Sequence, residues 1–121
     1  MGDRKKILVI EDDPDVAMVI GIVARTGGYE VVTAEDAACA LEAVREHRPD
    51  LITLDLGVPG GGGTSVLGDI RSDETLAEIP VIIVSGSGAV EPAEVDAMGA
   101  QAYLQKPFEP SELLGVVREL I

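Results

Sequence analysis

Aromatic residues are almost missing from this chain: two Tyr, one Phe and no Trp, 2% of its residues. A core without them has to be built from Val, Ile, Leu and Ala, and a site that stacks a flat cofactor such as a flavin lacks its usual platform. Cysteine occurs once, at Cys39, which excludes an intramolecular disulfide and suits a reducing compartment. The alanine-rich helical stretch around Cys39 predicts a packed or half-buried thiol. Histidine also occurs once, at His47 just before Pro49, and is expected on the surface, outside any relay or metal site. Cations are scarce, 9 Lys plus Arg against 22 Asp plus Glu, for a net charge of −13. That balance argues against direct contact with nucleic acid or an anionic membrane, both of which need clustered cations. No apolar run is long enough to span a bilayer, and residues 1–6 show no signal-peptide pattern, so a cytoplasmic protein is expected.

What is present is aliphatic and periodic. Five short apolar runs, residues 7–10, 30–34, 51–54, 81–84 and 102–104, are strand-sized, and most are rich in Val and Ile. Helical spacing separates them: Val16, Val19, Ile20 and Val23 recur at i, i+3, i+4, i+7, as do Leu113, Leu114, Val117 and Leu120, with a weaker stripe at Ala37, Leu41 and Val44. Pro14 opens the first helix and Gly27-Gly28 closes it; Asp36 suits a cap for the second, Pro92 the first turn of the fourth, and Ser111 lies early in the fifth. The pattern predicts five βα units, hence a parallel sheet with helices on both faces and right-handed crossovers. At 121 residues the expectation is one domain over residues 1–121, with no room for an output domain in this chain.

In such sheets ligands bind beyond the carboxyl ends of the strands. Glu11, Asp12 and Asp13 follow the first strand, Asp55 and then Gly57 the third, Ser85 and Gly86 the fourth, and Lys106-Pro107 the fifth. Taken singly, the acidic triplet suits a solvated turn and helix cap, Asp55 a loop cap, and Lys106 and Ser85 ordinary surface positions. Together they bring carboxylates, a hydroxyl and an ammonium to one sheet edge from four loops. Clustered carboxylates repel unless a cation neutralises them, and hard oxygen ligands suit Mg²⁺. A carboxylate beside such a metal and a Lys is equipped to attack phosphorus, with both cations stabilising the phosphoryl oxygens.

Four segments, "ILVIEDDP", "PDLITLDLGVPGGGG", "IPVIIVSGSG" and "GAQAYLQKPF", resemble in order and spacing the receiver domain of two-component response regulators, along the whole chain. The resemblance implies a flavodoxin-like (βα)5 three-layer sandwich with strand order 2-1-3-4-5. It makes Asp55 the phosphoacceptor and Glu11 and Asp12 the acidic pair, with Asp12 binding Mg²⁺ (or Mn²⁺) directly, Glu11 through water, and the Gly57 carbonyl completing the protein's ligands. The register set by Pro14 leaves Asp13 as a helix cap. Lys106 would pair with a phosphoryl oxygen, and the Lys106–Pro107 bond is expected to be cis. Ser85 would be drawn to the phosphoryl group while Tyr103 turns inward, shifting the surface of the fourth helix, fifth strand and fifth helix. The implied partners are a histidine kinase or histidine phosphotransfer domain, docked through the first helix at Met18 and Ile22, and a downstream effector. A monomer or a phosphorylation-dependent dimer is expected, with no enzymatic role beyond the domain's own phosphorylation and dephosphorylation.

Some positions depart from that family's habit. Ser85 stands where threonine is commoner, and Gly57, Gly86 and Ser87 are small, which predicts an aspartyl phosphate open to water. Residues 60–63 are four consecutive glycines; no Lys-Ser/Thr pair follows them, so a mobile loop is expected and not a P-loop phosphate cradle. The rival reading is a Mg²⁺-dependent phosphohydrolase of a related fold with an Asp nucleophile. Such enzymes carry a second Asp two positions on, where this chain has Gly57.

Overall fold

The computed structural model describes residues 4–86 and 91–121; Ser87 and residues 1–3 lie outside that set. Five βα units follow one another: β1 (Lys6–Ile10), α1 (Pro14–Thr26), β2 (Glu30–Ala34), α2 (Ala37–His47), β3 (Leu51–Leu54), α3 (Gly63–Ser72), β4 (Val81–Ser85), α4 (Pro92–Met98), β5 (Ala102–Gln105) and α5 (Pro110–Leu120). The strands form one parallel sheet in the order β2-β1-β3-β4-β5. This is the expected flavodoxin-like order, reversing between β1 and β3.

Alternation along each strand builds the three layers. Leu8, Ile10, Ile52, Leu54 and Ile83 join a core with α2, α3 and α4, whereas Ile7, Val9, Leu51, Ile82 and Val84 join a second core with α1 and α5. Both faces of the central strands are covered, which is why they read as continuous apolar runs. Burying each large aliphatic side chain contributes about 1.5–3 kcal/mol.

The helix starts follow local chemistry. Asp13 caps α1 by accepting from the Asp15 and Val16 amides, as expected of it, and Asp36 caps α2 by accepting from Cys39 N. In α5 the cap is Glu109, which exchanges bonds with Glu112 in a capping box.

Two expectations are corrected. Val19 belongs to the periodic stripe, yet it is 48% exposed. The face of α1 that meets the sheet is Ala17, Ile20, Gly21, Val23 and Ala24. Small residues allow close approach, and that rotates Val19 outward beside Met18 and Ile22. Cys39 is exposed, not packed: α2 buries Ala37, Ala40 and Val44, and position 39 falls between those rows. His47 is half-buried at the end of α2, 3.6 Å from Glu46 Oε2.

The glycine run is fitted to its neighbours. Gly60, Gly61 and Gly62 all have positive φ (91°, 116° and 83°), a region closed to most side chains. A Cβ on Gly63 would stand 2.7 Å from Asp55 O, so the first turn of α3 rests directly on the backbone after β3. Ala37 N donates to Pro59 O (3.0 Å) and Gly63 N to Leu56 O (2.9 Å). Among the described residues, no helix is long and apolar enough to cross a membrane.

Candidate functional site

The sheet's register extends one residue past three strands and aims the site residues. Glu11 N donates to Ala34 O, Asp55 N to Ile10 O and Lys106 N to Ser85 O, each at 3.0 Å. Glu11, Asp55 and Lys106 are thus held by backbone bonds at the carboxyl edge before any side chain is considered.

Their side chains then meet. Lys106 Nζ donates to Glu11 Oε1 at 2.5 Å and to Asp55 Oδ2 at 3.4 Å, across 95 and 51 residues of chain. Glu11 is 2% exposed and its other oxygen accepts from Asp13 N (3.2 Å). Asp55 Oδ1 accepts from Gly57 N (3.0 Å). Asp12 is exposed at the rim, and one oxygen from each of Glu11, Asp12 and Asp55 lies within 4.8 Å of the others. Three carboxylate oxygens gathered this closely are hard donors of the kind a divalent cation such as Mg²⁺ takes, so the donor set fits one.

Electrostatics divides the two carboxylates that Lys106 holds. Burial pushes Glu11 above the ordinary carboxylate value, with Asp55 adding to the rise and Lys106 opposing it. Burial works the same way on Asp55 but is outweighed by the Gly57 N–H, the Glu11 carboxyl and Lys106, leaving Asp55 below its ordinary value. Burial would lower Lys106; the two carboxylates, Glu11 first, raise it instead. The nucleophile candidate is the group kept ionised.

Ser85 is 1% exposed at the end of β4, in register with Gln105. Tyr103 is half-buried against the α2–α3–α4 core and in register with Ile83. A Cβ on Gly57 would lie 3.7 Å from Asp55 Oδ1, so this position stands directly over the carboxylate. Gly86 is exposed and abuts the Lys106 stem. The Lys106–Pro107 bond is cis.

Met18 (57%) and Ile22 (51%) are exposed on α1, outside the acidic cluster. Sequence reasoning missed two features there. Val19 joins them, and a groove of about 400 Å³ runs beside it, lined by Asp15, Val16, Val19, Lys106, Pro107 and Phe108. Phe108, the chain's single Phe, directly after Lys106-Pro107, was the available signal.

Residues 7–118 match the family model described as response regulator receiver domain. The chain is 39% identical over 116 residues to the DNA-binding response regulator MtrA of Mycolicibacterium smegmatis. It is 37% identical over 116 residues to the transcriptional regulatory protein KdpE of Mycobacterium tuberculosis. Each match covers 95% of this chain and 50% of the relative, so the chain spans about half the length of these curated proteins. Among solved structures, the chemotaxis response regulator CheY4 of Vibrio cholerae superimposes with a TM-score of 0.90 at 27% identity, covering 98% of this chain and 100% of that one. A CheY-like receiver domain protein from Methanospirillum hungatei gives 0.87 at 27% identity, covering 97% and 93%. The expectation of no direct contact with nucleic acid is not borne out by these relatives, since MtrA is a DNA-binding response regulator. Net charge over one domain does not speak for a protein twice its length.

Proposed function

The chain belongs to the response-regulator receiver-domain family of two-component signalling, and from that premise we propose that Asp55 is its phosphoacceptor. The donor is the phosphohistidine of a histidine kinase or a histidine phosphotransfer domain. The observation that carries this reading is the convergence of Glu11, Asp55 and Lys106 from three strand ends into one bonded cluster. An oxygen of the ionised Asp55 forms the bond to phosphorus while the phosphorus–nitrogen bond breaks and the imidazole keeps its electron pair. Lys106, already within reach of Asp55, neutralises an incoming phosphoryl oxygen.

Asp12, Asp55 and the Gly57 carbonyl are the groups that would hold Mg²⁺ or Mn²⁺ directly. Glu11 would act through water: it is the buried member of the acidic pair, whereas Asp12 is exposed at the rim. When bound, the metal supplies charge neutralisation for the phosphoryl oxygens. Ser85 and Tyr103 are the switch pair, and the face of α4, β5 and α5 is the output surface for a downstream effector. The exposed Met18 and Ile22, with Val19 and the adjoining groove, are the docking surface for the donor. The role is that of a cytoplasmic signalling domain whose only chemistry is on itself. The rival phosphohydrolase reading lacks its second carboxylate, since the position over Asp55 is Gly57.

Incubation with acetyl phosphate and Mg²⁺ followed by intact mass tests the reading. One phosphoryl group is gained, and Asp55→Asn gains none. Labelling of Asp55→Asn at the unmutated rate would overturn it, as would absence of label even from a phosphohistidine donor.

A further inference from the structure

Along the β2 edge of the sheet, alternate backbone groups are unclaimed. Glu30 N donates to Lys5 O and Glu11 N to Ala34 O, so in the parallel ladder with β1 the groups of residues 30, 32 and 34 turn inward. The N–H and C=O of Val31 and Thr33 therefore point out of the sheet, and among the described residues they have no backbone partner. Such an edge is a template for a further strand. On the α1 side a cleft of about 310 Å³ runs beside it, with Val31 and Thr33 in its wall. Gly21, buried and without a side chain, leaves the cleft open: a Cβ there would lie 3.4 Å from Arg25 Nη1 and 3.6 Å from Val31 Cγ1. Arg25 thus lies back along its helix at the Val31 end, while Glu35 and Asp12 line the cleft with Thr33. Among the described residues neither Arg25 nor Glu35 has an ion-pair partner.

We propose that this edge pairs with β2 of a second copy of the chain, antiparallel, about a two-fold axis through Val32. The backbone is self-complementary in that register. Val31 of one copy exchanges both of its outward bonds with Thr33 of the second copy, and Thr33 does the same with Val31, so every outward group of the two residues is used. The register also keeps like charges apart, since Glu30 faces Ala34 of the second copy and Glu35 faces Tyr29. A two-fold axis perpendicular to the sheet leaves both α1 helices on one face of the joined sheet, where the two clefts run into each other. Each cleft then supplies what the other lacks. Arg25, beside Val31, meets Thr33 of the second copy and, at the next position on that face, its Glu35; the second copy's Arg25 meets the first copy's Glu35 in the same way. This charge pattern selects the occupant: a purely basic or purely acidic peptide would satisfy one end of the cleft and leave the other unpaired. Met18 also lines the cleft, so this dimer and a donor docked on α1 exclude each other. The association itself does not depend on how Asp55 is used.

Sedimentation velocity of the full chain, without phosphodonor or added metal, tests the dimer. The buffer carries about 0.15 M salt, so the net charge of −13 on each copy is screened beyond about 8 Å and the local pairs decide. The unmutated chain sediments as monomer and dimer, the dimer's share growing with concentration. Arg25→Glu sets carboxylate against carboxylate across the axis, and Glu35→Arg sets guanidinium against guanidinium. Each alone weakens association about tenfold or more. Both positions are exposed, and circular dichroism checks that each variant keeps the fold. Mixing the two variants restores association as a heterodimer, because every facing pair is then of opposite sign, and the double variant Arg25→Glu/Glu35→Arg associates with itself again. A chain that stays monomeric up to about 1 mM would overturn the proposal. So would a dimer that neither charge reversal weakens, or a mixture that associates no better than each variant alone.

Discussion

Lys106 and Arg71 are both half-buried cations, one at each end of the sheet, and they are held by opposite means. Lys106 faces two carboxylates that titrate and are able to bind a metal or yield to a phosphoryl group. Arg71 faces four uncharged oxygens from the α3–β4 connection, the α4–β5 turn and Gln101, which do neither. The difference shows in their acidities. The carboxylates raise Lys106 despite its burial, whereas burial lowers Arg71 and only Glu78 opposes it weakly. Exchangeable partners make a site that responds; neutral backbone partners make a joint that stays put.

Substitutions can break that contrast. Arg71→Ala takes the donor from three carbonyl oxygens, Gln101 Oε1 still accepting from Val81 N, and is expected to lower unfolding free energy by about 2–4 kcal/mol in a denaturant titration. Lys106→Met is expected to slow phosphoryl uptake from acetyl phosphate about a hundredfold, with a smaller loss of stability than Arg71→Ala because the Glu11 carboxyl it leaves behind is able to protonate. The reverse pattern, a stable Arg71→Ala and an unstable but active Lys106→Met, would abolish the distinction. Between the two poles lies Thr53, 2% exposed, whose hydroxyl has no hydrogen-bond partner among the described residues. Thr53→Val keeps the shape and removes the stranded group, and should raise stability by about 1 kcal/mol with phosphoryl uptake unchanged. A loss of stability would mean that the hydroxyl is partnered.

The smallest effect concerns Glu11. Its folded acidity lies above the ordinary value, so its protonated form stabilises the fold below the usual carboxylate range. That contribution is lost as pH rises through the raised value. Asp55, lowered on folding, does the opposite, contributing above the usual range and losing it as pH falls. Without added metal, Glu11→Gln should therefore gain on the unmutated protein as pH rises from about 4 to 7, by less than about 1 kcal/mol. A constant difference across that range, measured by denaturation at each pH, would remove the assigned cause.

Most of the fold is legible in the residue order because its cues are local. Val- and Ile-rich runs gave all five strands to within a residue, and the caps at Asp13 and Asp36 are read from their neighbours along the chain. Gly57 and Lys106 were likewise visible as positions at strand ends. Less legible were features that depend on approach distance. Periodicity alone put Val19 on the core face of α1; the close packing of Ala17, Gly21 and Ala24 on the sheet turned it to solvent. Cys39 moved outward for the same reason on α2.

By itself the sequence determined the βα order, the parallel sheet, and which residues stand at the carboxyl edge, because period, turn chemistry and strand ends are properties of adjacent positions. Only the tertiary structure decided that Lys106 bonds Glu11 more closely than Asp55, and that Arg71 meets Gly99 and Gln101 from a helix about thirty residues away. Such pairings depend on the sheet order and on how closely helices approach, and no local signal along the chain encodes a distance between segments that meet only after folding.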